Sequence, residues 1–316
     1  MKAVQITEFG GSDSLRFVDL PEPEAAEGEL IVDVARVGVN FADTHQTHNV
    51  YLAKQTLPLI PGAEIAGSTP DGRRVAAILP NGGYAERVAV PEESLVPIPD
   101  EVDDDQAAAL LLQGLTAWAI LEISGRLQAG ESVVIHAAAG GTGSLAVQLA
   151  KRMGAGNVIA LASSEEKREM TIGLGADVAI DSRAEDLNAA ILEANGGEMV
   201  DVVLEMAGGQ AFEDSLRALA PFGRLVTFGI ASREQNSVKT GHLMRNSRAV
   251  IGFWITHLLQ RPDLLRTGIE AVMGAAAAGE LRGVIGGVEP LSEAARVHED
   301  MVARRTQGKM LLDPSA

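Results

Sequence analysis

A short stretch near the middle of the chain has the residue types and spacing that bind a diphosphate. Residues 133–135, Val-Val-Ile, predict a short strand that is buried on both faces. Ala138, Gly140 and Gly143 follow at the spacing G-x-G-x-x-G, with alanine in the first place. Small residues are needed there because one makes a tight turn, one lets the backbone approach a phosphate, and one lets the next helix pack closely. The stretch therefore predicts a dinucleotide site at the start of a helix.

The end of the next predicted strand indicates which dinucleotide binds. NAD-binding folds of this kind place an acidic residue about 20 residues after the glycines, where it accepts a hydrogen bond from the ribose 2′-hydroxyl. Ser163 and Ser164 stand at the strand end instead, and Lys167 follows one helical turn later. Small hydroxyls leave room for a 2′-phosphate and the lysine supplies a cation, so the pattern favours NADPH over NADH. Arg183, after the third strand, adds a cation that Asp181 could oppose.

Strand and helix patterns alternate around these residues. The alternation predicts a parallel, doubly wound sheet with the six strands of a Rossmann fold. The predicted strands span residues 133–135, 158–161, 178–180, 200–205, 224–228 and 249–254, and the helices between them include 165–174, 184–194 and 210–219.

The two ends of the chain have a different pattern. The first 90 residues are β-rich, with strand-like runs separated by Gly, Pro and Asp or Asn turn signals. The tail predicts helices over 263–278 and 291–304 and a strand over 309–312. We therefore predict an α/β protein in which residues 1–112 and 255–316 form a β-rich domain around a Rossmann domain of residues 113–254.

Composition and charge exclude several classes of function. The 316 residues carry a formal net charge of −17, which argues against nucleic acid or an anionic membrane as the main partner. The chain has no cysteine, which excludes disulfides and Cys-ligated metals. The polar N-terminal sequence predicts no signal peptide and the chain shows no long apolar run, so we expect a cytoplasmic protein.

An ordered set of motifs resembles one family. The motifs are NFADTHQTHNVY (40–51), PLIPGAEIAG (58–67), GGYAE (82–86), LLLQGLTAW (110–118), HAAAGGTG (136–143), SSEEK (163–167) and RLVTFG (224–229). They resemble the zinc-independent quinone oxidoreductases of the medium-chain dehydrogenase/reductase superfamily, the zeta-crystallin-like branch. The resemblance implies a GroES-like substrate domain, a Rossmann domain, bound NADPH and a homodimer or tetramer in which copies pair through the edge strand 249–254. Zinc-dependent relatives use a Cys and a Gly-His-Glu motif, whereas the matching segments here have no Cys and have Ala63 in place of the His.

The resemblance also implies roles for individual residues. Tyr51 matches a tyrosine that lines the active-site cleft of the family, and we expect it to donate a hydrogen bond to the substrate. Asn40 is expected to help hold the acceptor oxygen. No metal ligand is predicted. The predicted cofactor contacts are Asn40, Gln113, Thr116, Ala138, Gly140, Gly141, Thr142, Gly143, Ser163, Ser164, Lys167, Arg183, Ala207, Gly208, Phe228, Gly229 and Lys309.

Three functions are consistent with these features. We favour an NADPH-dependent reductase that transfers hydride directly to a quinone or another α,β-unsaturated carbonyl compound. An enoyl-thioester reductase is the alternative enzyme, which Tyr51 and the sequence Gly-Phe-Trp at 252–254 favour. A structural or RNA-binding protein that binds NADPH is the non-catalytic alternative, and the negative charge disfavours RNA.

Overall fold

The structure is a computed structural model that describes residues 1–50, 52–233 and 235–316, so the predicted donor Tyr51 lies outside the described residues. The chain forms two compact units, Met1–Leu112 with Met273–Ala316, and Gln113–Val272. We expected residues 255–272 in the first unit, but they belong to the second. The reason is packing, because Gly268 lies directly against Leu115 and Trp118.

The secondary structure alternates in the middle of the chain and is mainly β in the first unit. The strands are β1 (Lys2–Gln5), β2 (Arg16–Asp19), β3 (Glu29–Gly38), β4 (Glu64–Ser68), β5 (Arg74–Ile78), β6 (Arg87–Pro91), β7 (Val96–Pro97), β8 (Ser132–Ile135), β9 (Asn157–Ala162), β10 (Val178–Asp181), β11 (Val200–Glu205), β12 (Leu219–Thr227), β13 (Ala249–Gly252), β14 (Ile285–Pro290) and β15 (Lys309–Asp313). The α-helices are α1 (Phe41–Gln46), α2 (Asp104–Ala119), α3 (Gly141–Arg152), α4 (Glu165–Gly173), α5 (Leu187–Ala194), α6 (Gln210–Ala218), α7 (Thr240–Asn246), α8 (Ile255–Leu259), α9 (Pro262–Ala277) and α10 (Ala294–Val302).

The first unit is built on a seven-stranded sheet in the order β14-β15-β3-β4-β5-β7, with β6 paired to the free part of β3. Alternate residues Val32 and Val34 of β3 are buried, as a sheet with one apolar face requires. The register against β4 shifts between Val34 and Arg36, so Val37 becomes the next fully buried residue. The irregularity lies just before the segment that contains Asn40.

The second unit is a six-stranded parallel sheet in the order β10-β9-β8-β11-β12-β13. Numbered from β8, this order is 3-2-1-4-5-6, which is that of the doubly wound dinucleotide-binding fold. The central residues Val133, Val134 and Ile135 are fully buried, because helices cover both faces of such sheets. The predicted Rossmann sheet is therefore confirmed.

One stretch of the described residues, Asp104–Ser124, is long and apolar enough to cross a membrane by length and composition alone. It comprises α2 and a π-helical turn, Ile120–Ser124. In its most apolar window 78% of the residues are buried inside the structure, which is typical of a core helix.

Candidate cofactor site and buried charge cluster

The glycine-rich turn connects β8 to α3. Ala137 makes the turn with a φ of +48°, one residue earlier than the predicted Ala138. Ala138 is fully buried and donates its N–H to the carbonyl oxygen of Leu161 at 3.0 Å. A Cβ on Gly143 would lie 2.7 Å from the Cα of Ala138, so this glycine permits the close packing of helix on turn. Gly140 occupies the N-cap position of α3.

The start of α3 presents backbone N–H groups at the end of the central strand. The N–H of Ser144 donates to the carbonyl oxygen of Gly140 at 2.8 Å. The N–H groups of Gly141, Thr142 and Gly143 precede this bond, in the part of a helix where no intrahelical acceptor exists. These groups and the positive end of the helix dipole favour a bound phosphate.

Gln113 and Thr116 lie one turn apart on α2, and each is 9% exposed. A Cβ on Gly141 would collide with the Gln113 amide. Glycine at position 141 therefore lets Gln113 lie against the glycine-rich turn, so the structure brings the predicted cofactor contacts Gln113 and Gly141 together.

Two cationic side chains, Lys167 and Arg183, follow the neighbouring parallel strands β9 and β10. Ser164, preceded by the half-buried Ser163, is the N-cap of α4, and its Oγ accepts the N–H of Lys167 at 3.3 Å. Burial lowers the pKa of the Lys167 ammonium, and the nearby Arg183 guanidinium lowers it further, while Glu166 acts in the opposite direction. An anion bound between Lys167 and Arg183 would relieve their repulsion.

Asp181 does not oppose this pair in the way the sequence suggested. Its carboxylate accepts the backbone N–H of Arg183 at 2.9 Å. Its second oxygen lies 3.7 Å from Nη1 of Arg168. The charge of Asp181 is thus paired with Arg168, and the side chains of Lys167 and Arg183 remain the predicted phosphate contacts.

A buried carboxylate organises the end of β11. Oε1 of Glu205 accepts the N–H groups of Ala207 at 2.6 Å and Gly208 at 2.7 Å, and its backbone oxygen accepts the N–H of Phe228 at 3.1 Å. Burial raises the pKa of Glu205. Glu205, Gly208 and Gly229 line a cavity of about 280 Å³ in the second unit. Because the N–H groups of Ala207 and Gly208 have internal acceptors, these residues offer a ligand a close backbone surface and no amide donors.

The first unit contains a fully buried ion pair that sequence reasoning missed. Nζ of Lys309 lies 2.5 Å from Oε2 of Glu64 and donates to Oδ1 of Asn40 at 2.8 Å. Lys309 is 1% exposed, Glu64 is not exposed at all, and Asn40 is 4% exposed. A Cβ on Gly38 would lie 2.7 Å from both Oε2 of Glu64 and Cε of Lys309, so this glycine makes room for the pair. Lys309, expected to contact the cofactor, is instead enclosed by Glu64 and Asn40.

The ion pair fixes the orientation of the Asn40 amide. Nδ2 of Asn40 donates to the carbonyl oxygen of Gly38 at 3.0 Å and lies 3.4 Å from Oε2 of Glu64. An amide nitrogen has two hydrogens, and both have acceptors here. The amide of Asn40 is therefore held in one orientation by Glu64 and Lys309, and its expected contact with the acceptor oxygen stays a prediction. Glu64 could have been found from its place in the apolar run EIAG of β4.

Within the described ranges, no group of three or more acidic or histidine side chains is arranged to hold a metal ion. Asn40 and Glu64, which match segments that bind zinc in relatives, are joined here by the Lys309 ammonium. The single ammonium group of Lys309 thus donates hydrogen bonds to the side-chain oxygens of both residues.

Comparisons with known proteins agree with this architecture. A family model described as "Zinc-binding dehydrogenase" matches residues 141–279, and one described as "Alcohol dehydrogenase GroES-like domain" matches residues 26–100. The second match confirms the GroES-like fold expected for the first unit.

Individual relatives match along the whole chain. A quinone oxidoreductase of Pseudomonas aeruginosa is 35% identical over 99% of this chain and 99% of its own. A 2-haloacrylate reductase of a Burkholderia species is 30% identical, also over 99% of both chains. The quinone oxidoreductase of Thermus thermophilus, whose structures include a complex with NADPH, superposes with a TM-score of 0.91 at 39% identity over 99% of this chain and 100% of its own.

Proposed function

This chain belongs to the zinc-independent quinone oxidoreductases of the medium-chain dehydrogenase/reductase superfamily, and we propose that it uses NADPH to reduce small electrophilic carbonyl compounds. Hydride passes directly from the cofactor to a quinone or another α,β-unsaturated carbonyl compound, without a metal. The names of the relatives support this substrate class, because a quinone and a 2-haloacrylate both contain a carbon–carbon double bond conjugated to a carbonyl group.

The observation that carries the proposal is the pair of cations at the ends of β9 and β10. The start of α3 holds the diphosphate, and Lys167 with Arg183 holds the 2′-phosphate. Gly143 keeps the helix start close to the turn. Bound NADPH supplies the hydride, and the protein supplies position and electrostatics.

Two residues of the first unit have proposed roles in the reaction. Asn40, whose amide is oriented by Lys309 and Glu64, contacts the cofactor and helps hold the acceptor oxygen of the substrate. Tyr51, which lies outside the described residues, donates to the oxygen of the substrate. A donor at that oxygen stabilises the negative charge that develops when hydride adds to the conjugated system.

Cofactor selectivity tests the proposal. Loss of a charge-assisted bond to phosphate costs about 1.5–3 kcal/mol, so we expect Lys167→Ala and Arg183→Ala each to raise KM for NADPH by about tenfold or more, with KM for NADH unchanged. Arg168→Ala, on the same helix but paired with Asp181, is the matched control and leaves the NADPH to NADH ratio as in the wild type. An equal rise of both KM values in the Lys167 and Arg183 variants would overturn the assignment.

We also propose that the protein acts in the cytoplasm as a homodimer. Strand β13 lies at the edge of the second sheet, next to β12, and has a free edge to pair with a second copy. It ends at Gly252, two residues earlier than predicted. Val250→Pro, which removes a backbone donor from that edge, is expected to convert a dimer to a monomer in sedimentation velocity. A wild-type protein that sediments as a monomer would refute the dimer.

A further inference from the structure

A buried chain of three polar side chains runs through the first unit beside Asn40. Nε2 of His298, on α10, lies 2.7 Å from the hydroxyl of Tyr84. That hydroxyl donates to Oδ2 of Asp43, on α1, at 3.1 Å. The same carboxylate oxygen accepts the backbone N–H of Asn40 at 2.9 Å. Asp43 and Tyr84 are completely buried and His298 is 1% exposed, so these groups bond to one another without competition from bulk water.

Each end of this chain of side chains has one polar atom that makes no hydrogen bond to the described residues. Nδ1 of His298 and Oδ1 of Asp43 are buried, and neither has a hydrogen-bond partner among the described residues. His298 lines a cavity of about 350 Å³ together with Thr44, Thr47 and His48. A cavity of this size with hydroxyl and imidazole groups in its wall holds water. His298 therefore belongs both to the chain of side chains and to the wall of a cavity that can hold water, while Asp43 lies in the first turn of α1.

The protonation states suit the transfer of a proton along this chain. Burial lowers the pKa of His298 to about 4 and raises that of Tyr84 well above its ordinary value, so both groups are neutral near neutral pH. Because Tyr84 donates to Asp43, its oxygen accepts the Nε2–H of His298, and Nδ1 is left as an unprotonated acceptor.

The charges around Asp43 and around the cavity beside His298 also favour proton transfer. Burial raises the pKa of Asp43 to about 6; the Asn40 N–H, Lys309 and Tyr84 act against this rise, and Glu64 adds to it. A carboxyl group with a pKa near the working pH is a suitable proton donor. At the cavity, Glu299 and Arg305 are the charged side chains that line the wall, and His48 is the other titratable group.

We propose that His298, Tyr84 and Asp43 form a proton relay that supplies, from this cavity, the proton consumed in each turnover. The inference rests on the proposed function, since hydride addition to a quinone leaves an oxygen anion that needs one proton. Water in the cavity protonates Nδ1 of His298, Nε2 gives its proton to the Tyr84 oxygen, and the Tyr84 hydroxyl gives its own to Asp43. Asp43 then releases a proton to the product anion. One proton leaves the cavity water and one is gained by the product.

Turnover measurements separate a relay from a structural role. In His298→Gln the amide still donates to Tyr84 but has no second nitrogen to accept a proton, and in Tyr84→Phe the middle of the relay is lost. Because general acid–base groups contribute about 10²-fold or more, we expect kcat to fall by about that factor and its solvent deuterium isotope effect to rise, with KM for NADPH unchanged. His48→Gln lines the same cavity outside the chain and is expected to behave as wild type.

A second measurement needs no turnover. The carboxylic acid band of protonated Asp43, identified in the infrared spectrum by its loss in Asp43→Asn, shifts when the protein is transferred to deuterium oxide. The rate of this shift reports hydrogen–deuterium exchange at the Asp43 carboxyl group. We expect the exchange to slow in His298→Gln and Tyr84→Phe and to stay fast in His48→Gln. Equal exchange rates and equal isotope effects in all three variants would overturn the relay. A wild-type protein that exchanges rapidly but never oxidises NADPH would refute the proposed function instead.

Discussion

The buried pair of Lys309 and Glu64 gives a prediction that follows directly from the geometry. Glu64→Gln removes the negative charge but keeps an oxygen for the N–H of Leu112, which Oε1 of Glu64 accepts at 2.6 Å. The Lys309 ammonium, 1% exposed, then loses the only carboxylate that it contacts among the described residues. Removing one partner of a buried pair costs about 3–5 kcal/mol, so we expect the free energy of unfolding of the first unit to fall by that amount.

The double variant Glu64→Gln/Lys309→Met isolates the interaction. Methionine has nearly the length of lysine without the charge, so no buried charge is left unpaired. The remaining loss is the Lys309 bond to Oδ1 of Asn40, about 1 kcal/mol. The double variant is therefore expected to be more stable than Glu64→Gln alone. We expect the same order in urea unfolding followed by circular dichroism near neutral pH.

A surface ion pair provides the matched control for this experiment. Nζ of Lys151 lies 2.9 Å from Asp177, and the two side chains are 37% and 38% exposed. Lys151→Met is expected to change the free energy of unfolding by less than about 1 kcal/mol. A double variant at Glu64 and Lys309 whose loss equals the sum of the two single losses would refute the reasoning, because it would mean that the two charges do not interact.

Two further predictions concern a histidine and a glycine of the second unit. Burial lowers the pKa of His136 to about 4 from its ordinary 6.5. The unfolded chain therefore binds a proton at His136 below pH 6.5 while the folded protein does not, so the free energy of unfolding falls as the pH decreases from 6.5 toward 4. His136→Gln, which keeps a partner for Ser215 Oγ, should reduce the loss of unfolding free energy over this range by up to about 3 kcal/mol; urea midpoints that shift with pH as much as in the wild type would contradict this. Gly143→Ala should weaken NADPH binding in calorimetry by more than about tenfold, since its Cβ meets the backbone of Ala138 and displaces the helix start by which the diphosphate is held. Gly173→Ala, which meets nothing within 4 Å, is the control, and equal affinities for both variants would exclude the predicted role of the turn.

Sequence patterns predicted the second unit well because its signals are local. Residues 133–135 and 200–205 are continuous apolar or nearly apolar runs, and they became the central strands β8 and β11. Strand β14 was missed because its sequence, IGGVEP, contains two glycines and a proline, which are typical of turns. Its hydrogen bonds to β15 make it a strand in spite of that composition.

The contacts between buried polar groups of the first unit could not be predicted from the sequence, for a different reason. Glu64 and Lys309 are 245 residues apart, and Tyr84 and His298 are 214 residues apart. Contacts between residues so far apart in the sequence depend on how the strands and helices pack. Periodicity within a single sequence does not predict such contacts. The resemblance named Asn40 and Lys309 as cofactor contacts, and the structure shows that the two side chains bond to each other.

Transfer of a labelled hydride tests the central claim most directly. NADPH carrying deuterium at the transferable position of nicotinamide C4 is incubated with the protein and an α,β-unsaturated ketone in ordinary water, and the product is analysed by mass spectrometry. We predict one deuterium per product molecule at the carbon β to the carbonyl, with the same yield in the presence of a metal chelator. A reduced product without deuterium, or a yield abolished by the chelator, would contradict direct, metal-independent hydride transfer.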